Sequence, residues 1–259
     1  MNIAYGRLAN TTIGILCMIF MVAPLVLVVL FSFGSSSLMT FPIRGFTFGW
    51  YGALMARDDF WSALANSATV TGAVGVAATV IGTAAAMVIV RLRPRQSAAA
   101  FFLFGLPMMM PPLVLALALL SLFSVLGVKL SLVTVVLAHL TFTMPFVILI
   151  VTARLRDFDY AVIDSARDLG ASPLKTFLTV TFPLIRPTLF GAALIAMALS
   201  LDDFVITFFL IGGGNTLPTL VWGMLRTGLD PSINALGTLI LLLTIGSSAL
   251  ALRLTRYRG

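Results

Sequence analysis

Apolar residues run along this chain in long stretches separated by short polar segments, and six of the stretches are near or above the roughly 20 residues a tilted helix needs to cross a bilayer. They are Thr11 to Phe33, Ala63 to Val90, Ala98 to Leu126, Ser131 to Thr152, Pro187 to Ile211 and Ala235 to Leu252. Runs of this length predict helices rather than strands, and hence an all-α integral membrane protein of six transmembrane helices. No polar stretch is long enough to fold as a separate soluble domain. The expected organisation is an N-terminal span with an outer loop over 1–62, a core of five spans over 63–253 and a tail over 254–259. The first run follows a lone cation, Arg7, but exceeds the roughly 7 to 15 apolar residues of a cleavable signal.

Composition agrees with the pattern. Hydrophobic residues make up 60% of the chain, charged residues 10%, and mean hydropathy is +1.10. The basic residues are distributed unevenly. Arg7, then Arg91, Arg93 and Arg95, then Arg154, Arg156, Arg167, Lys175 and Arg186, then Arg253, Arg256 and Arg258 fall on one side of the spans, against Arg44, Arg57, Lys129 and Arg226 on the other. The positive-inside rule makes the first side cytoplasmic, so both termini and the segment from Tyr160 to Pro187 are expected there. This topology accounts for the net charge of +7, and nothing calls for nucleic acid. Cys17 is the single cysteine, lies in an apolar run and reads as a small packing residue.

Two spans carry unusual residues. Gly72, Gly75 and Gly82 in the second let helix backbones approach closely. Pro107, Pro111 and Pro112 in the third remove backbone donors and should kink or unwind it where it faces protein or a water-filled cavity. The kinks read as pore-lining interruptions or as packing features.

The stretch AVIDSARDLGASPLKTFLTVTFPLIRP is the most polar part of the chain and predicts a helical hairpin. Asp159 or Asp164 supplies negative charge to the first turn of a short helix and Gly170 ends it. Ser172-Pro173 then makes an N-cap and first position for a second helix reaching about Val180. Around Ala161, Ser165 and Ala166 the side chains are small, beside the charged Arg167 and Asp168. From the residues alone the hairpin reads equally as a knob seated in a groove of a soluble partner and as an amphipathic connector on the lipid surface.

The same stretch resembles the signature of the permease subunits of binding-protein-dependent ABC importers, E-A-A-x3-G-x9-I-x-L-P, which lies in a cytoplasmic loop between two spans. Asp164-Ser165-Ala166 stands for the acidic and small triplet, Gly170 follows at the required spacing, and Val180-Thr181-Phe182-Pro183 closes it; Ala166, Gly170 and Pro183 are identities. The resemblance implies a type I ABC importer permease fold with cytoplasmic coupling helices between the fourth and fifth spans. It also implies that Asp164, Ser165, Ala166, Gly170 and Pro183 belong to the contact with an ATP-hydrolysing subunit. No G-x4-G-K-[ST] phosphate loop is present, so ATP and its Mg would be held by that partner and this chain is expected to be non-catalytic, with no cofactor or metal of its own.

A narrower resemblance covers nearly the whole chain. GFTFGWYGALM, NSATV, LAHLTFTMPFVILIVTARLRDFD, SLDDFVITFF and LPTLVWGMLRTGLDPSINALGTLILLL are similar to the second permease component of spermidine/putrescine importers. It implies a homologous permease as heterodimer partner, two copies of an ATP-binding cassette subunit, an extracytoplasmic substrate-binding protein and a small cationic substrate. Relatives with similar permeases carry opines, aminoethylphosphonate and other small amines, so that alternative stays open.

Candidate substrate-path residues are Asp202, Asp203, His139 and Trp222. The two aspartates are the acids expected within a span, where each carboxylate costs roughly 2.5 to 3.5 kcal/mol near the bilayer centre. On a helix entering at Pro187 they would sit roughly 22 to 24 Å from the inner face, towards the outer mouth, where they would attract a polycation. Adjacent helical residues point about 100° apart, so one would face the lumen while the other pairs with Arg226 or caps a neighbouring helix in the partner permease. His139 favours an interhelical hydrogen bond over a proton relay or metal site, since no second His or cysteine pair exists. Trp50, Tyr51, Trp61 and Trp222 favour an interfacial belt over contact with a docked protein or the substrate.

Other classes fare less well. An intramembrane protease needs acids or a Ser/His pair on facing helices. A passive channel needs no coupling hairpin, and a self-contained secondary transporter predicts paired repeats or further intramembrane charges.

Overall fold

A computed structural model describes residues 2–36, 40–43, 45–228 and 230–256, with side chains from Thr11 to Gly246. Arg44, the Tyr257 to Gly259 end of the expected tail, and the side chains of Arg7, Arg253 and Arg256 lie outside the described residues. The described residues are almost all helical. One unit comprises Met1–Trp61 and Leu220–Ser248, the other Ser62–Thr219 and Ala249–Gly259.

In the first unit, the stretch Thr11–Ser32 of α1 (Asn2–Ser32) is long and apolar enough to cross a membrane, with none of its most apolar window buried. Such a surface needs lipid or another chain as solvent. Its end is fastened to α2 (Gly49–Met55): Ser32 Oγ lies 2.7 Å from Tyr51 Oη, and Trp50 Nε1 donates to the Gly34 carbonyl at 2.6 Å. Trp50 and Tyr51, read from sequence as belt residues, therefore close the loop between two helices. Helix α12 (Ser232–Arg256) begins in the interior of this unit, with Ala235 and Leu236 fully buried and Gly237 facing Val28 of α1.

The second unit is built on two long helices, α3 (Asp58–Ile89) and α6 (Leu132–Arg156). A Cβ on Gly82 would stand 2.8 Å from Val147 Cγ1, so the small residue sets how closely the pair approach. Helix α6 starts in a capping box, with Ser131 N donating to Thr134 Oγ1 at 2.8 Å. One core joins Val70 and Val74 of α3 and Val135 and Ala138 of α6 with Leu115, Ala116, Ile206 and Leu210. A second joins Ala78 and Ala86 to Val147, Val151, Ile185, Leu189 and Ala192.

The stretch read from sequence as a third span is two helices, α4 (Pro94–Met109) and α5 (Pro112–Val125), meeting at 100°. The cause is local. Met110 precedes a proline and is extended, with φ −81° and ψ 138°, while Pro111 and Pro112 have no N–H to continue a ladder.

The hairpin comprises α7 (Ala161–Asp168) and α8 (Pro173–Thr176). Beyond α8 the chain does not stop at Val180. It passes through a π-helical turn, Phe177–Thr181, into α9 (Phe182–Asp202), giving one apolar helical run over Pro173–Asp202. Pro183 explains the turn, because its ring and missing N–H spoil the bond to the Thr179 carbonyl and the widened turn carries the helix past it. A short helix, α10 (Val205–Leu210), and then α11 (Leu217–Thr227) follow.

Four helical stretches are long and apolar enough to span, Thr11–Ser32, Asp58–Ile89, Leu132–Arg156 and Pro173–Asp202, and the bent pair makes a fifth. The sixth candidate falls on α12, whose described apolar part is the shorter Ser232–Gly246.

Candidate functional site: an exposed hairpin and a clasped aspartate

The hairpin stands on the end of α6. Arg156 Nη2 donates to Ser97 Oγ at 2.9 Å, with the guanidinium 5.5 Å from the Phe101 ring, and Tyr160 Oη donates to the Leu155 carbonyl at 3.0 Å. Ser97 and Leu155 are buried, so the base is fixed. Above it, α7 has no buried residue. Asp164 lies in its first turn, and Asp159 Oδ1 accepts from Ala161 N at 3.0 Å.

Gly170 ends α7 in a left-handed conformation, φ +83°. Its N–H reaches the Arg167 carbonyl at 2.8 Å, and that of Ala171 reaches the Ala166 carbonyl at 3.1 Å, the two bonds of a Schellman motif. Ser172 Oγ then accepts from Lys175 N at 3.4 Å and caps α8. The turn presents Leu169, 89% exposed, beside the half-exposed Ala166. A large apolar side chain held that far into the open on a fixed turn suits insertion into another surface.

The second locus is the end of α9. The helix stops at Asp202, so the two aspartates are not inside a span running from Pro187 to Ile211; they sit at the far end of a helical run that starts at Pro173. Asp202 is exposed. Asp203, with φ −70° and ψ 120°, has left the helix, and its side chain is 11% exposed. Its carboxylate accepts from Thr207 N at 2.9 Å, Ile206 N at 3.5 Å and Thr207 Oγ1 at 3.2 Å, which caps α10 within the same chain. His139 Nε2 lies 3.2 Å from Asp203 Oδ2. The pairing with Arg226 expected for one aspartate is thus replaced, at Asp203, by His139.

His139 is 1% exposed, and its Nδ1 lies 2.8 Å from Ser200 Oγ. Neither Ser200 nor Thr207 was singled out in the sequence reading. No local signal in SLDDFVIT announces the helix break that brings Thr207 to Asp203 and Ser200 to His139. Trp222 lies on α11 with 46% exposure, in the other unit.

The loop beyond α10 is tightly built. Gly212, at φ +70°, comes so close to the Leu130 carbonyl that no side chain fits. Asn66 Nδ2 donates to the Asn215 carbonyl at 2.9 Å, and Leu217 N donates to Ser67 Oγ at 2.8 Å. A separate groove of about 480 Å³ lies between α3 and the first half of α9, lined by Gly75, Val76, Thr79, Arg186, Pro187 and Met197 among others. Neither aspartate lines it.

Long apolar helices, small-residue packing, a proline-broken segment and a polar hairpin define a helical integral membrane protein. The family model for the inner membrane component of binding-protein-dependent transport systems matches residues 78–257, and the chain belongs to that family. The putrescine transport system permease protein PotI of Escherichia coli K12 is 41% identical over 230 residues, covering 86% of this chain and 82% of the relative. The spermidine/putrescine transport system permease protein PotC of the same strain is 34% identical over 225 residues, covering 86% and 84%. In fold, the chain is similar to one in the crystal structure of a bacterial ABC transporter involved in the import of the acidic polysaccharide alginate. The TM-score there is 0.75 over 99% of this chain and 96% of the other, at 18% identity.

Proposed function

We propose that this chain is one of two permease subunits of an ATP-driven importer that brings putrescine or spermidine into a bacterial cytoplasm. The observation that carries the substrate class is the 41% identity with a putrescine permease over 86% of the chain. Its partners would be a homologous permease, two ATP-binding cassette subunits that bind ATP and Mg, and an extracytoplasmic binding protein. Six spans with both termini cytoplasmic fit the charge asymmetry and put the hairpin on the ATPase side.

The helical path supports a mechanism. The run Pro173–Asp202 is helical through all 30 residues, the π-helical turn at Phe177–Thr181 included, a length of roughly 45 Å. Closure of the ATPase dimer on the Asp164 to Gly170 turn would act on one end of this rod and be felt at the other, where Asp202 stands exposed. Fixed bonds at the hairpin base, from Arg156 to Ser97 and from Tyr160 to Leu155, hand the same push to α6 and α4. Alternating access then follows from moving rigid helices about the Met110 break.

Uptake of labelled putrescine and spermidine into proteoliposomes, with this chain, its genomic-neighbour permease, ATPase and binding protein, tests the reading. Uptake that requires both ATP and the binding protein is expected. An intact complex that hydrolyses ATP yet takes up neither polyamine would redirect the substrate to an opine or aminophosphonate.

A further inference from the structure

His139 touches both sides of the break that ends α9. Its Nδ1 meets Ser200 Oγ at 2.8 Å, in the last turn of α9, while its Nε2 lies 3.0 Å from Thr207 Oγ1 and 3.2 Å from Asp203 Oδ2, at the start of α10. Ser200, His139 and Thr207 are all buried. A carboxylate can only accept, so Nε2 donates towards Asp203, while Nδ1 and the Ser200 hydroxyl share the hydrogen bond on the other side of the ring. One imidazole from α6 therefore fastens the two helix ends that a chain break would leave loose.

The break itself creates the need. Ending α9 and starting α10 within three residues strands carbonyls of one helix and N–H groups of the next, which must find partners away from water. Asp203 serves two of those N–H groups, Ile206 and Thr207, and His139 completes the carboxylate's shell. Among the described residues, Asp203 is held by His139, Ile206 and Thr207. Asp202, one residue earlier, takes no part in this set and its side chain is exposed.

We propose that Asp203 is a positioning residue which, clasped by His139, fixes the break between α9 and α10 and so aims Asp202, the carboxylate of the pair that meets the cationic substrate. The substrate half of this statement rests on the polyamine reading above; the clasp rests on geometry alone.

The experiment takes the assembled importer in proteoliposomes and reads two quantities, putrescine uptake kinetics and hydrogen exchange of the 205–210 amides. Asp202→Asn is expected to raise KM roughly tenfold, the loss of one charge contact, with exchange unchanged. Asp203→Asn keeps an acceptor for the cap, so KM should stay within about twofold of the parent. Asp203→Ala and His139→Ala should raise KM part of the way towards that of Asp202→Asn, and speed exchange over 205–210 about fivefold, the loss of one cap. A KM rise in Asp203→Asn to match Asp202→Asn overturns the proposal, as does exchange unmoved by both alanine variants. Should an alanine variant fail to assemble, Asp203→Asn decides by its KM. A parent complex that takes up no putrescine sinks the substrate reading instead, and exchange across the variants then decides the clasp by itself.

Discussion

Arg57 Nη1 lies 3.1 Å from Asp230 Oδ2, which ties the loop ahead of α3 to the loop ahead of α12. The same guanidinium grips Asp59 through Nε at 2.9 Å and Nη2 at 2.7 Å, and the hydrogen bond to Asp59 holds it above its ordinary pKa. Asp230 has a second task, accepting from Ser232 N at 2.9 Å at the start of α12. Both members of the pair are about a third exposed, so the ion pair by itself contributes at most about 1 kcal/mol after solvent screening. Arg57→Ala should therefore lower the melting temperature of the purified permease slightly. Asp230→Ala should lower it more, by a cap worth about another 1 kcal/mol, and Asp230→Asn should resemble Arg57→Ala. Equal shifts in Asp230→Ala and Arg57→Ala would sink the capping role.

The turn at Gly170 has open space around it, so replacing the glycine tests backbone conformation and not crowding. At φ +83° a side chain costs roughly 1–2 kcal/mol, which the short helices cannot absorb without opening the Schellman turn. Gly170→Val should reduce co-purification of the ATPase subunit, and Gly170→Asn should reduce it less. Full co-purification with both would remove the turn from the docking contact.

Leu169 separates docking from folding. Because it is 89% exposed, Leu169→Asp should leave the melting temperature of the isolated chain unchanged. Pull-down of the ATPase should fall roughly tenfold or more if this side chain enters the partner's surface. Ala166→Glu, on the same turn, should act alike. Retained binding in both variants points to the lipid surface as the resting place of the hairpin.

Gly82 and Val147 test how closely α3 and α6 must pack. Gly82→Leu inserts a side chain where even a Cβ stands 2.8 Å from Val147 Cγ1, and should destabilise by roughly 1–3 kcal/mol in thermal unfolding. Val147→Ala in the same chain should restore part of the loss. A double variant no better than the single would mean that the strain is taken up elsewhere.

Much of this molecule was legible before any coordinates. The apolar runs announce membrane helices because the bilayer accepts little else, and that constraint acts on composition and length rather than on tertiary contacts. The hairpin was equally readable. Asp164, Gly170 and Ser172-Pro173 are local signals, acting within one helical turn of themselves, and the chain puts the acidic first turn, the left-handed turn and the Ser172 cap where those residues stand. Pro111 and Pro112 foretold an interruption, whereas Pro107 stays within α4; the 100° angle depended on the extended Met110 and on what the two pieces pack against.

The acid pair shows where sequence stops. Adjacent aspartates have the same chemistry and neighbours, so nothing along the chain can tell the exposed Asp202 from the clasped Asp203. The distinction comes from His139, which is 64 positions before Asp203 in the numbering and reaches it only because α6 runs beside the end of α9. The sequence by itself determined the solvent of each segment, the helical state and the local turns, since those depend on short-range chemistry. Tertiary structure decided where α9 ends, which carboxylate turns inward and which buried partners hold it there, because those depend on distances between helices that hydrophobic runs do not encode.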